Sequence, residues 1–522
     1  MRATLLALLA GVWASACAST AERQASVAND LQTARSQDGQ PRDAQSQDAQ
    51  SQGSQTPPGQ KWGTERKTIK DFGTPDDGTP PPKAPEEEAP KETPPAAAPA
   101  AAADPGTGLP DWIHGSFAVR YRGRWDTGGH DNDLGGILAV DLADPKNPWI
   151  SGHLQARIDA DLDGKQPGNG LESLQDTYDG SVVAKLYVAY ADVAVGKNPE
   201  DRLGTLRVGR QQDPLLPEVV RLDGVSYTTT PMGKNEVQLG VYGGIPVHLY
   251  ESSAEGDRVY GTFLEGIPWQ GGRARFDWMH LEDENVLGAG EDDLVTLGLW
   301  QQLNAHARLE GQYSNLEGDP RDLRLRALYD DPESQTNLRL GYYELLRPQN
   351  ALVTELDPFF EQLATYEPYR ETNFDISHVF GPHTAVDVGI DVRRVSDQDE
   401  VGEFNRNWER YYTTATFNDV GSKGLSMSVT GDRWDDHQRD IYTLGADVTY
   451  AAQKRWKASI GSYFSLYKYV FLQLDERDDV RTYYLRTTYD LTARAQLEFL
   501  YELEDDSLDT FHTLRLGARW RF

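Results

Sequence analysis

Several features that define soluble enzymes and nucleic-acid binders are scarce in this sequence. It has one cysteine, Cys17, in 522 residues, so it cannot form an internal disulfide. No apolar run approaches the roughly 20 residues that a membrane-spanning helix needs, which excludes a helical membrane protein. Lysine and arginine number 51 against 82 aspartate and glutamate, and the net charge of -31 argues against nucleic-acid binding, which requires a basic face.

The motifs of common enzymes are missing as well. The chain contains no HExxH, P-loop, CxxC or dinucleotide fingerprint. Asp435, Asp436 and His437 stand together, and a histidine beside carboxylates can position a base for a hydrolase. Because no nucleophile can be identified for it, an exposed acidic cluster explains this group better. We expect the protein not to be an enzyme.

Aromatic residues and glycine are abundant, with 25 Tyr, 12 Trp, 15 Phe and 48 Gly. This composition suits strands, turns and aromatic belts. From Trp112 onward, segments of about ten residues alternate apolar and polar positions and are separated by turn residues, which is typical of transmembrane strands. For example, Leu154 and Ile158 fall on one face, while Arg157 and Asp159 fall on the other. A soluble sandwich would show the same alternation, so further observations are needed.

The first residues predict export. A charged start, a short apolar segment from Leu5 to Trp13 and small residues before Cys17 indicate a signal peptide, which we place at residues 1–18. Residues 19–110 are rich in Ser, Gln, Pro and Ala and have too few apolar side chains to offset the ordering entropy, so we predict a disordered periplasmic linker. Two outcomes stay open for Cys17: lipidation, or removal of the signal with Cys17 left near the new N-terminus.

The last segment is the most specific feature of the sequence. From Leu514 to Phe522, apolar and polar residues alternate without a break. This segment resembles the final strand of Gram-negative outer-membrane barrels, and the resemblance implies that Leu516, Trp520 and Phe522 form the signal recognised by the barrel assembly machinery. A soluble edge strand of this kind would expose an unpaired aromatic row, which soluble proteins avoid.

We therefore predict an all-β protein, a transmembrane antiparallel up-and-down β-barrel of about 18 to 22 strands over residues 111–522, placed in the lipid of the outer membrane. Short connections alternate with long acidic ones, such as residues 282–293, 346–368 and 474–479, as expected for periplasmic turns and external loops. The count depends on residues 213–256, which hold either two strands or an inserted loop. A barrel of this size leaves a lumen.

The alternation places many arginines on the polar face, and hence inside the predicted barrel. The first strand contributes three of them, and the last strand, which must pair with it on closure, contributes more. The predicted pore-lining residues are Arg120, Arg122, Arg124, Arg157, Arg207, Arg324, Arg326, Arg486, Arg515 and Arg519. Such a basic wall would recruit carboxylate or phosphate solutes. The alternative is that these arginines pair with inward acids such as Glu498 and Glu502.

A short motif indicates a family. The segment LRVGRQ, Leu206 to Gln211, is followed by RLDGV, Arg221 to Val225. Together they resemble the "GRQ … DGV" pattern of the alginate-export and related porin-like barrels. The resemblance implies a conduit that exports an anionic polysaccharide delivered by periplasmic polysaccharide export proteins. Parity places Arg207 on the lumen side, and Arg210 joins it only if a bulge at Gly209 changes the face.

Two other functions fit the same barrel. One is a general diffusion porin for small hydrophilic solutes, and the other is a non-conducting barrel that anchors a surface machine.

The sequence also contains part of a metal-binding motif. Asp159, Asp161 and Asp163, followed by Gly164, match the first half of a calcium loop. Because Gly170 stands where an EF-hand has glutamate, we predict at most a looser Ca²⁺ site, with a solvated acidic loop as the alternative. We expect no other cofactor.

Overall fold

The computed structural model describes residues 109–164, 171, 181–198, 201–212, 220–248, 256–285, 288–348, 368–396, 407–435, 440–452, 455–470, 475–506 and 509–522. These residues form 22 β-strands, and none of them is in an α-helix. In the same ranges, no helix has the length and apolar character to cross a membrane. The predicted signal peptide, linker and Cys17 lie outside the described residues.

The first eleven strands are β1 (Ile113–Trp125), β2 (His130–Ala143), β3 (Ile150–Asp161), β4 (Val182–Asn198), β5 (Asp201–Gln212), β6 (Arg221–Thr229), β7 (Gln238–Pro246), β8 (Arg258–Gly266), β9 (Gly272–Asn285), β10 (Gly288–Gln302) and β11 (Ala307–Leu316). The remaining strands are β12 (Asp319–Asp331), β13 (Thr336–Leu345), β14 (Tyr369–Phe380), β15 (Thr384–Val395), β16 (Trp408–Phe417), β17 (Leu425–Asp435), β18 (Asp440–Ala452), β19 (Trp456–Val470), β20 (Asp475–Asp490), β21 (Ala495–Asp505) and β22 (Thr510–Arg521).

All 22 strands belong to one antiparallel sheet that closes on itself. Each strand pairs with its neighbours in sequence, and β1 also pairs with β22, so that Ser116 lies opposite Arg521 and Trp125 opposite His512. The backbone groups of Gly115 and Phe522 exchange two hydrogen bonds of 2.9 and 3.0 Å across this junction. Closure removes the unpaired edges that an open sheet would expose. The predicted barrel is confirmed, with a strand count at the top of the predicted range.

The even strand number places both ends of the sheet at the same end of the barrel. We call this the turn end, and the opposite one, where β1 runs into β2, the loop end.

Residues 213–256 contribute two strands, β6 and β7. The prediction of long loops at residues 282–293 and 474–479 was wrong, because β9 runs to Asn285, β10 begins at Gly288 and β20 begins at Asp475. Backbone pairing there continues through the acidic sequence.

The outer face of the barrel is apolar over its middle. Side chains such as Ile460, Leu444 and Val208 are exposed there, Ile460 to 60%. Two rows of exposed outer-face aromatic residues flank this band. The row near the turn end contains Tyr329, Phe380, Phe417, Tyr450, Trp456, Tyr489 and Trp520, and the row near the loop end contains Tyr260, Tyr313, Tyr411, Tyr442 and Tyr483. On β18, the two rows are about 27 Å apart along the strand, at about 3.4 Å per residue.

Glycines allow strands β5, β6 and β7 to approach one another closely. Gly209, Gly224 and Gly244 lie directly opposite one another on β5, β6 and β7. A Cβ at Gly224 would lie 2.1 Å from the carbonyl oxygen of Gly243, and one at Gly209 would lie 2.3 Å from that of Ala189. Gly209 also has a φ of 125°, which favours glycine. Glycine rows of this kind let a sheet bend sharply.

Candidate functional site

The polar face of the strands is the inner face. In a single closed sheet, a side chain can be almost fully buried only on the concave side, and Asp131 on the polar face of β2 is 2% exposed. Directly opposite residues share a face, so the register assigns the rest. By this rule all ten predicted arginines lie on the inner face. That they line a conducting pore stays a prediction.

Five of these arginines meet where the barrel closes. Arg120, Arg122 and Arg124 of β1 face Arg515 and Arg519 of β22, and Arg122 lies directly opposite Arg515. We call this group the basic seam. Side chains with the same charge at directly opposite positions destabilise a sheet unless they are neutralised. The strand pairing therefore requires acids close by, and the flanking strands supply them.

On the β2 side, Arg124 donates to Asp131 from Nε at 3.0 Å and from Nη2 at 2.7 Å. Arg122 donates from Nε to Asp133 at 3.0 Å, and its Nη2 lies 3.7 Å from the Asp131 carboxylate. A guanidinium that forks onto one carboxylate is held in orientation as well as neutralised. This half of the basic seam is therefore rigid.

On the β21 side the contacts are looser. Arg515 Nη2 lies 3.6 Å from Glu502 and Arg519 Nη2 lies 4.0 Å from Glu498. Arg120 is exposed, and among the described residues no carboxylate lies within ion-pair distance of it. The side chain of Arg120 passes over Gly517, where a Cβ would be in ordinary van der Waals contact with Cγ of Arg120, at 3.8 Å. Arg120, Arg515 and Arg519 are therefore the guanidinium groups of the basic seam that neighbouring carboxylates hold least closely.

The other predicted arginines divide in the same way. Arg157 Nε donates to Asp159 at 2.7 Å, and Arg207 Nε donates to Asp192 at 2.7 Å while stacking over Tyr190. Arg324 is half exposed, 3.5 Å from Asp322 and stacked over Tyr343. Arg326 is exposed and has no ion pair among the described residues. The guanidinium of Arg486 lies 6.0 Å from the ring centre of Tyr484.

Sequence reasoning missed two further inner ion pairs. Arg275 Nη2 donates to Asp277 at 2.7 Å, and both side chains are buried. Arg410 Nε donates to Asp432 at 2.7 Å, and its guanidinium packs on Trp434. The alternation along β9, β16 and β17 could have revealed these pairs, because it places each arginine on the same face as its acidic or aromatic partner. The alternative that inward arginines pair with acids thus describes most of this lining.

An apolar inner sector was also missed. Met279, Leu281, Leu294 and Leu316 lie on the inner face near the loop end of β9 to β11, and each is 0% exposed. The run WMHL at residues 278–281 was the available signal, since apolar residues on both faces indicate a strand covered on both sides. These four apolar side chains are therefore covered by protein on the inner face.

Residues beyond the strands reach the inner face at the loop end. Leu171, in the connection after β3, is buried, and its carbonyl oxygen accepts a hydrogen bond from Arg124. His248, after β7, lies with its Nε2 3.0 Å from Oδ1 of the buried Asp283. At these two points the connections contact the inner lining.

The three aspartates of the predicted calcium site are engaged by protein groups. Asp159 accepts from Arg157, and Asp161 Oδ1 accepts from the backbone N–H of Asp163 at 3.0 Å. Asp163 accepts from the backbone and side-chain nitrogens of Asn132 at 3.0 and 2.9 Å. These bonds define a strand-end turn, and the Ca²⁺ site stays a prediction.

The motif at β5 and β6 has a structural role. Arg207 is on the inner face, and no register shift occurs at Gly209, so Arg210 lies on the outer face. There it donates to Asp223 from Nε at 2.8 Å and from Nη2 at 2.7 Å. The "GRQ … DGV" residues thus form a glycine contact and an ion pair between adjacent strands.

The predicted assembly signal lies at the junction of the barrel. Leu516 and Trp520 are exposed on the outer face of β22, and the ring of Trp520 packs edge-on at 6.1 Å from that of Phe522. Recognition by the assembly machinery stays a prediction. A closed barrel with an apolar outer band, two aromatic rows and a charged inner face has one compatible environment. The chain is an outer-membrane β-barrel.

Comparison with known proteins adds little to this conclusion. No protein-family model and no curated protein sequence matches the chain. Solved structures similar to it include the outer membrane protein opdK from Pseudomonas aeruginosa (12% identity, covering 78% of this chain and 98% of that chain, TM-score 0.37), OccAB3 from Acinetobacter baumannii (9%, 78% and 99%, TM-score 0.38) and the siderophore receptor PirA from Pseudomonas aeruginosa (11%, 79% and 81%, TM-score 0.46). The resemblance to alginate-export barrels finds no support in these matches.

Proposed function

We propose that the protein is a passive channel for small hydrophilic solutes across the outer membrane, with its path along the basic seam. The observation that carries this proposal is the charged lining of a closed 22-stranded sheet. A barrel of this size is too wide for side chains alone to fill. Half-exposed ionic groups such as Arg324 and Arg515 need water beside them, so the lumen is wet where they lie.

Anionic solutes should pass more easily than cations. The basic seam has five guanidinium groups, and the neighbouring carboxylates are those of Asp131, Asp133, Glu498 and Glu502, which leaves a formal charge of +1. The field along this wall is therefore weakly positive although the chain as a whole is acidic. Guanidinium groups bind carboxylates bidentately, which favours small organic acids among possible solutes.

Export of an anionic polysaccharide is the second candidate. The exposed Arg120 and Arg326, which have no carboxylate at ion-pair distance among the described residues, favour it because a polymer needs free cationic contacts. The close pairing of Arg122, Arg124 and Arg207 favours diffusion instead, because paired guanidiniums offer little to a polyanion. We therefore rank small-solute diffusion first, and periplasmic export proteins remain partners only of the second candidate.

Single-channel recording in planar lipid bilayers tests the proposal. The wild-type protein should conduct and prefer chloride over potassium in a salt gradient. The variant with both Arg120→Ala and Arg519→Ala changes the formal charge of the basic seam from +1 to -1, so its reversal potential should shift towards cation preference. Arg433→Ala, on the outer face and 2.8 Å from Asp440, is the matched control and should not shift it.

Two outcomes would contradict the proposal. A correctly folded wild-type barrel that does not conduct would favour the anchoring function. Export would be favoured by two results together: the purified barrel excludes small sugars in a liposome-swelling assay, and cells from which the gene is deleted retain polysaccharide.

A further inference from the structure

A cluster of metal-ligating side chains lies on the outer face of β9 and β10. His280, Glu282 and Glu291 each offer one metal-ligand atom, and these atoms lie within 4.8 Å of one another. The cluster follows Trp278 on the same face, toward the loop end, and Trp278 packs edge-on against Tyr260 of the loop-end aromatic row. The cluster therefore lies beyond the apolar band, where outer-face charges meet water and headgroups instead of acyl chains.

The two nitrogens of the His280 imidazole have different surroundings. Its Nδ1 lies 3.1 Å from Oδ1 of Asp293, the same atom that accepts from Trp278 Nε1 at 3.1 Å. An acceptor on that side fixes the proton at Nδ1, so Nε2 keeps its lone pair. Nε2 is buried and has no hydrogen-bond partner. A carboxylate behind a histidine whose second nitrogen is free is the arrangement found around metal ligands.

The strand register concentrates negative charge at the same point. Glu282 lies directly opposite Glu291, and like charges at such positions destabilise a sheet. Arg258, directly opposite Glu282 on β8, contacts its carboxylate and offsets one charge. Glu291 is exposed and Asp293 is half exposed, which leaves the negative charge in excess. A bound cation would remove the repulsion between the two glutamates.

We propose that His280, Glu282 and Glu291 bind a divalent transition-metal ion of the zinc class, with Asp293 as the positioning residue for His280. One imidazole nitrogen among the ligands selects zinc-like ions over Ca²⁺ and Mg²⁺, which prefer all-oxygen sites. Three protein ligands leave a coordination position for water or an external ligand. The ion would join β9 to β10 at the loop end, where their acidic sequences pair.

Zinc titration of the full-length chain tests this site. The protein, purified in detergent without a histidine tag, is titrated with Zn²⁺ by isothermal calorimetry, and Co²⁺ is used as a visible-absorption probe of nitrogen and oxygen ligation. Glu291→Gln and His280→Ala should each remove one binding event or weaken it at least about 10-fold, and Asp293→Asn should weaken it by about 10- to 100-fold. His306→Ala, at an exposed turn away from the cluster, is the matched control and should bind as the wild type does.

The folding of each variant is checked by the heat-dependent shift in gel mobility and by its circular dichroism. Should His280→Ala not fold, the exposed Glu291→Gln decides the question on its own. Zinc binding of unchanged stoichiometry and affinity in folded Glu291→Gln and Asp293→Asn would overturn the proposal. Binding of Ca²⁺ as tight as that of Zn²⁺ would overturn the assignment to the zinc class.

Discussion

The buried carboxylate of Asp131 should be a main determinant of stability at the seam. Its side chain is 2% exposed and accepts two hydrogen bonds from Arg124. Asp131→Asn leaves that arginine without its counter-charge in a partly buried position. Breaking a buried ion pair by removing one partner costs about 3 to 5 kcal/mol. Because Arg124 retains access to lumen water, we expect the lower end of this range, about 3 kcal/mol.

The measurement is equilibrium urea unfolding of the barrel refolded into lipid vesicles, followed by tryptophan fluorescence. A double-mutant cycle with Arg124→Met and the double variant isolates the interaction energy between Asp131 and Arg124. This coupling energy should reach about 1 to 3 kcal/mol. Asp141→Asn is the control, because the Asp141 side chain is 63% exposed although it lies 2.6 Å from His153. Equal stability losses for Asp131→Asn and Asp141→Asn, or a coupling energy near zero, would refute the reasoning.

Three other substitutions test the faces of the sheet in the same assay. Gly224→Ala should destabilise the barrel because its Cβ would overlap the Gly243 carbonyl, whereas Gly431→Ala, which meets no atom within 4 Å, should not. Leu444→Arg, at a lipid-facing position that is 65% exposed, should cost about 2 to 4 kcal/mol, and a neutral effect would argue against lipid contact. Met279→Ala should cost about 2 to 5 kcal/mol and enlarge the conductance; unchanged conductance would show that the apolar inner sector does not limit the path.

The sequence was sufficient for the fold because period-two alternation separates the two faces of a strand without further information. It also placed the arginines of β1 and β22 together, since closure must pair the remaining free edges of these two strands. The strand count was less certain because β6 and β7 have 9 residues each and β7 is rich in glycine, which weakens a strand pattern.

The occupancy of the lumen and the metal cluster could not be obtained in this way. Alternation tells which face a residue is on but not how much protein lies over it, so the apolar residues on both faces at 278–281 were only an indirect signal for the burial of Met279 and Leu281. The acidic residues 282–293 looked like a loop. Only the observed register, which continues β9 to Asn285, places Glu282 opposite Glu291 and next to His280.

The junction of β1 and β22 has a consequence for how the barrel forms. Closing the ring places Arg122 directly opposite Arg515, two cations that repel each other unless Asp133 and Glu502 lie on either side. Those acids come from β2 and β21, the strands adjacent to the two that join. If the first and last hairpins were out of register, the arginines of β1 and β22 would lose these acids, so electrostatic repulsion would disfavour closure in the wrong register.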